Sequence, residues 1–183
     1  DPGYRLVRAA REAGIRVVPI PGASALLAAL AVAGLPTDEF HFQGFLPARG
    51  AARRSAVRGL AARSCTSVVY EAPHRLVELL QSLEAEAGAG REVVVARELT
   101  KKFETLLSGS LADVRARVEE DADQRRGEMV VVLAGAPAPD VDDASLESLA
   151  RALLQELPAS RVARVLAAWS GRRRQQLYRW LES

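Results

Sequence analysis

Two short runs of the chain bring acids and bases together directly after an apolar segment. Ser67-Val68-Val69 leads into Tyr70-Glu71-Ala72-Pro73-His74-Arg75, and Val93-Val94-Val95-Ala96 leads into Arg97-Glu98-Leu99-Thr100-Lys101-Lys102. Tyr70 and Glu71 would offer a phenol and a carboxylate to a ligand. Arginine offers phosphate or carboxylate a planar fork of N–H donors. If each apolar run is a strand of an open α/β sheet, its carboxyl end is where ligands bind. The two runs therefore predict a site along one edge of a sheet. For the 97–104 run the competing reading is surface salt bridging, which contributes little. His74 and Arg75 fall in the first turn of the helix that Pro73 opens, where cations oppose the helix dipole. Local structure does not account for Arg75, which favours a functional role. His74 is equally well read as a neutral ring accepting a backbone N–H.

Stepping outward, the elements that would carry these runs form an α/β pattern. Asp1-Pro2-Gly3-Tyr4 reads as a helix start, with Asp as N-cap and Pro at the first helical position, and a helix over 3–13. Residues 15–20 (Ile-Arg-Val-Val-Pro-Ile) read as a strand. Pro21-Gly22-Ala23-Ser24-Ala25 turns into a helix over 25–33 that is apolar nearly all round and so predicted to be buried against the sheet. A half-exposed strand over 40–46 precedes an arginine-rich helix over 49–63. Leu76, Leu79, Leu80 and Leu83 keep the spacing of a helix laid on a sheet. This helix would join strands 67–71 and 92–97 as a parallel βαβ unit. Further strands are predicted over 104–110 and 128–133, with a helix over 111–121 between them capped by Ser110. Gly135 to Asp140 reads as a linker, after which the pattern is helical over 145–156, 160–169 and 172–182, with Trp169 and Trp180 in the core of that unit. The fold class is α/β, a mixed sheet flanked by helices, with a small all-helical C-terminal appendage.

Composition narrows the function. The 183 residues are 49% hydrophobic and carry a formal net charge of +2. That charge is uneven: Arg49, Arg53, Arg54, Arg58 and Arg63 stand in 49–63 with no acid, and seven arginines face three glutamates in 145–183. Two readings stand, a solvated helix face and a phosphate-binding patch. One cysteine excludes an intrachain disulfide framework. His41 and His74 are too far apart for a zinc motif, so no metal site is expected. No apolar run is long enough to span a bilayer, and the simplest compartment is the cytoplasm. A chain opening on a helix cap, without methionine, is expected to be a fragment.

Taken in order, the segments resemble the ribosomal RNA small subunit methyltransferase I family, a branch of the tetrapyrrole methylase superfamily. The matching blocks are Asp1-Pro2-Gly3-Tyr4, Glu12 to Val17, Pro19 to Gly22, Ala33-Gly34-Leu35-Pro36, Gly44-Phe45-Leu46-Pro47, Tyr70-Glu71 with His74-Arg75, Ala96 to Lys101, and Arg126-Gly127-Glu128-Met129. Each is weak alone. Eight in order are not.

The resemblance implies transfer of a methyl group from S-adenosylmethionine to the ribose 2′-hydroxyl of a cytidine in small-subunit (16S) ribosomal RNA, free or in the 30S subunit. It also implies a homodimer and two α/β lobes with the cofactor between them. On that reading 1–22 is the tail of the first lobe, 23–136 the second lobe, 137–144 a linker and 145–183 a helical domain. The family's Gly-rich loop and Asp-Ala-Gly-Thr-Pro segment do not occur here, so the chain would be an incomplete, by itself inactive, enzyme. Cofactor contacts carry over to Ser24, Ala25, Glu71 and Leu99, largely through backbone. Glu98 or Lys101 would remove the hydroxyl proton or orient the ribose. Arg49, Arg53, Arg54, Arg75 and Arg97 would contact RNA phosphate, and the C-terminal helices would be a helix-turn-helix docking unit or a solvated bundle. Competing readings are an RNA-binding module without catalysis and a tetrapyrrole (porphyrin or corrin) methyltransferase. The Tyr-Glu-x-x-His-Arg and Arg-Glu-Leu-Thr-Lys blocks favour the RNA branch.

Overall fold

The computed structural model describes residues 3–137 and 142–182. Its centre is a five-stranded mixed sheet: β1 (Phe40–Phe45), β2 (Thr66–Glu71), β3 (Glu92–Arg97), β4 (Thr105–Ser110) and β5 (Met129–Leu133). The spatial order is β1-β2-β5-β3-β4. β1 and β2 are parallel, whereas β5 runs antiparallel to both β2 and β3. The central strands are the valine runs, because β-branched side chains buried on both faces suit an interior strand.

The helices are α1 (Gly3–Glu12), α2 (Ala25–Ala33), α3 (Gly50–Ala61), α4 (Leu76–Ala87), α5 (Leu111–Glu120), α6 (Asp143–Leu154), α7 (Ala159–Ser170) and α8 (Arg174–Glu182). On one sheet face the leucine stripe of α4 joins Val57 and Leu60 of α3, Val114 and Val118 of α5, and Val69, Val93, Val95 and Val131 of the sheet in a single apolar cluster. On the other face Ala29, Leu30 and Ala33 of α2 cover Val68, Val94, Ala96, Val130 and Val132. The C-terminal helices keep a core of their own, made of Leu146, Ala150, Val162, Ala163, Leu166 and Leu177. Ser110 caps α5 as expected, accepting the Asp113 N–H at 3.1 Å.

Several expectations are corrected. Residues 15–20 form no strand: Ile15, Val17, Val18 and Ile20 are exposed. An apolar alternation becomes a strand only where a neighbour completes the ladder; none does among the described residues, and Pro19 removes one donor. The α2 helix is buried on one side only, with Leu27 and Val32 exposed, because the sheet covers a single face of it. β2 and β3 do run the same way, but β5 lies between them, so the crossover through α4 skips one strand position. The helix expected from Pro73 starts as a 3-10 turn (Pro73–Arg75) before α4. Trp169 and Trp180 are each 40% exposed and stand outside the C-terminal core. The Asp1-Pro2 cap and residues 138–141 of the linker lie outside the described residues.

Candidate functional site

The two strand ends that open the sequence reading meet. Glu71 ends β2 and Arg97 ends β3, and both pair with Met129, the first residue of β5. The start of β5 thus lies between them, and Gly127 and Glu128 join the same sheet edge.

At the β2 end, Glu71 is a buried clamp. Its side chain is fully excluded from solvent. One carboxylate oxygen accepts from Arg53 Nη2 at 2.8 Å. The other lies 2.7 Å from Arg75 Nη2 and accepts the Ala72 N–H at 2.9 Å. This explains what local structure left open: the cation in the first helical turn is neutralised by the carboxylate four residues before it. It also corrects the expected role of Arg53. Arg53 is 4% exposed, with Nε 3.5 Å from Glu78, so its guanidinium is committed to carboxylates rather than offered to phosphate. The signal was present in the sequence, since Arg53 shares the inward stripe of α3 with Val57 and Leu60. Of the other arginines expected to touch RNA, Arg49 and Arg54 are exposed. Arg97 is buried and donates from Nε to Thr105 Oγ1 at 2.9 Å. Arg75 keeps partial exposure beside Glu71.

At the β3 end the chain leaves the sheet through a tight loop. Glu98 and Thr100 both have positive φ, 50° and 65°, a conformation that non-glycine residues hold only when their surroundings fix it. Three contacts do so. The Glu98 N–H donates to the Glu128 carbonyl at 2.9 Å, and the Glu128 N–H donates back to Glu98 Oε1 at 2.8 Å. The Thr100 N–H donates to Glu104 Oε2 at 2.6 Å. Lys101 Nζ then bridges Glu98 and Glu128, 2.8 Å from each. Gly127 is part of this latch: its φ is 83°, and a Cβ there would lie 2.5 Å from the Glu98 carboxylate. Outside its place in the block Arg126-Gly127-Glu128-Met129, the sequence carries no signal that marks Gly127-Glu128 as part of this latch.

The charges in the latch fix each other. Lys101, and after it the Glu128 N–H, hold the Glu98 carboxyl below its usual range. Glu128 and Glu98 hold the Lys101 ammonium above its own. Neither group is tuned toward neutral pH, where a general base works best, so the geometry suits orientation better than proton removal.

The positions expected to contact cofactor lie near one surface. Leu26 of the first turn of α2, Tyr70 and Leu99 all pack on the same apolar cluster. Ser24 stands at the N-cap of α2 without a side-chain capping bond, so side chains leave the first-turn N–H groups open to a polar ligand. Glu71 has no free carboxylate oxygen, so any contact from it to cofactor runs through backbone. No group of three or more His, Cys, Asp and Glu side chains converges as a metal site among the described residues.

Comparison with known proteins fits this layout. The family model described as Tetrapyrrole (Corrin/Porphyrin) Methylases matches residues 1–115. The chain belongs to that family. A second model, the RsmI C-terminal HTH domain, matches residues 140–182. Ribosomal RNA small subunit methyltransferase I of Xylella fastidiosa (strain Temecula1) is 49% identical over 97% of the chain and 66% of its own length. The proteins of that name from Pseudomonas aeruginosa and Escherichia coli O157:H7 are 46% and 44% identical, covering 97% and 98% of the chain. Within that family the chain is similar to the ribosomal RNA small subunit methyltransferase I proteins, in keeping with the sequence blocks. It spans 63–66% of the length of these relatives. Among solved structures, the methyltransferase CobJ superposes with a TM-score of 0.52 at 22% identity, covering 76% of this chain and 59% of CobJ. CbiF, a cobalt precorrin-4 methyltransferase, gives 0.52 at 16% identity, covering 71% and 57%. These likenesses bear on the fold.

Proposed function

We propose that this chain forms one wall of the active site of a ribosomal RNA methyltransferase that uses S-adenosylmethionine and methylates the 2′-hydroxyl of a cytidine in small-subunit ribosomal RNA. The observation that carries the reading is the gathering of the α2 N-terminus, Tyr70 and Leu99 on one apolar cluster, beside the edge where Glu71 and Arg97 flank Met129. S-adenosylmethionine, when bound, supplies a methyl group on a positively charged sulfur. The open N–H groups at Ser24 and Ala25 and the backbone at Glu71 and Leu99 hold the cofactor. The Glu98–Lys101–Glu128 latch keeps the 98–100 loop in its left-handed turns, so that Leu99 stays in place and the ribose meets a fixed edge. Alignment of this kind supplies several kcal/mol of a displacement barrier, out of a possible total of about 7–11. Arg49 and Arg54 take the RNA phosphates, while Arg53, Arg75 and Arg97 build the edge. The C-terminal unit adds exposed Arg161, Arg164, Arg173, Arg174 and Arg179 on α7, α8 and the turn between them, and we assign it to docking on the RNA or the 30S subunit.

Methyl transfer to small-subunit RNA is the test, run with this chain alone and with the chain fused behind the first lobe of the P. aeruginosa relative. The fusion is expected to yield 2′-O-methylcytidine, found by mapping modified nucleosides. Methyl groups recovered on a base, or on a tetrapyrrole offered as the alternative acceptor, would overturn the assignment. So would a fusion that binds S-adenosylmethionine in calorimetry yet leaves RNA unmodified.

A further inference from the structure

Phe45 ends β1 at the same sheet edge as Glu71 and Arg97, and it is 64% exposed. Three features set it apart from a stray surface aromatic. First, a bulge aims it. The β1–β2 register slips by one residue between Phe42 and Gly44, and Gly44 takes a φ of 72°. Simple alternation would put Phe42 and Phe45 on opposite faces; the extra residue brings both to the side of Tyr70. Bulges of this sort recur beside functional sites, where they redirect a side chain. Second, Tyr70 grips the ring. Phe45 meets it edge-to-face, with centroids 5.6 Å apart and an angle of 61°, and Phe42 also meets it edge-to-face, at 5.0 Å and 68°. The Phe45 ring is thus held in one orientation while most of its surface stays open. Third, the stretch of chain that carries it is basic. No acid occurs between Phe40 and Tyr70. Arg49 and Arg54 are exposed, and neither forms an ion pair among the described residues.

A fixed, open aromatic face beside unpaired arginines is the arrangement that binds single-stranded nucleic acid: the base stacks and the guanidiniums take the flanking phosphates. We propose that Phe45 is a stacking platform for an unpaired RNA base, positioned by Tyr70 and the Gly44 bulge, with Arg49 and Arg54 on the adjoining phosphates. This rests on the RNA reading above and adds a residue and a substrate form to it, an unpaired segment rather than an intact duplex.

The probe is a short single-stranded RNA carrying one 2-aminopurine, whose fluorescence falls on stacking, with a fully paired RNA of the same length as control. F45A is expected to weaken binding of the single strand by about tenfold, within the range found for base–aromatic stacks, and to lose the quench. F45W is expected to keep both, and F45L, which keeps apolar bulk without a π-face, to behave like F45A. Duplex affinity and the melting temperature should be the same in all variants. If F45A and wild type bind and quench the single strand equally, the platform is wrong. Full binding and quenching by F45L overturns stacking as the mechanism. A fall in oligomer mass for F45A with unchanged RNA affinity assigns the ring to a contact between copies instead. If wild type binds neither RNA, the RNA reading itself fails, and the platform with it.

Discussion

Glu98 and Lys101 exchange one charge-assisted hydrogen bond, and both also hold Glu128. The consequence is a stability with two pH limits. Folding lowers the Glu98 pKa, so its contribution is complete above the unfolded value of about 4.3 and is lost as pH falls through the lower folded value. Folding raises the Lys101 pKa, so its contribution is complete below about 10.4 and is lost as pH rises through the higher folded value. Thermal melts of wild type and E98Q should therefore differ at neutral pH and converge only as pH falls through the depressed folded value of Glu98, where the wild-type carboxyl is protonated too. A gap in melting temperature that stays constant from neutrality into that range would show that the carboxylate charge plays no part in the latch.

The Glu71 clamp works between elements, joining α3 through Arg53, β2 through its own backbone, and the 3-10 turn before α4 through Arg75. Cutting the shared carboxylate leaves two guanidiniums without their partner in a buried setting. E71A is accordingly expected to lose about 3–5 kcal/mol of unfolding free energy in urea titrations, and a loss below about 1 kcal/mol would show that the arginines find water or other partners. Elements are also where the sequence was most and least readable. Val93–Val95 and Val130–Val132 announced central strands because burial on both faces demands an unbroken apolar run. The α4 stripe announced itself by its period. The pairing of Glu71 with Arg53 was not readable, because it spans 18 residues and depends on which of five neighbouring arginines turns inward. The latch spans 30 residues from Glu98 to Glu128 and uses left-handed turns at residue types with no strong preference for them. The 15–20 run misled for the opposite reason: its local pattern suits a strand, but strand formation is decided by a neighbour.

At the scale of the molecule, three apolar clusters organise the chain, two on the faces of the sheet and one among the C-terminal helices. The sheet clusters depend on one late strand. Before β5 is added, β1 with β2 and β3 with β4 are two separate pairs whose inner edges face each other unpaired. A chain shortened to end at Glu128 should accordingly lack the cooperative thermal transition of the longer chain and bind a dye that reports exposed apolar surface; a sharp transition in that truncation would show that the two pairs can close without their middle strand. The same order of events governs the protein as it is made. β5 begins 58 residues after the end of β2 (Glu71 to Met129) and 19 after the end of β4 (Ser110 to Met129), so both pairs are synthesised before the strand that joins them. During that interval two valine-rich edges stand open to any passing strand. Closure of the sheet therefore waits until the chain has been made as far as Leu133.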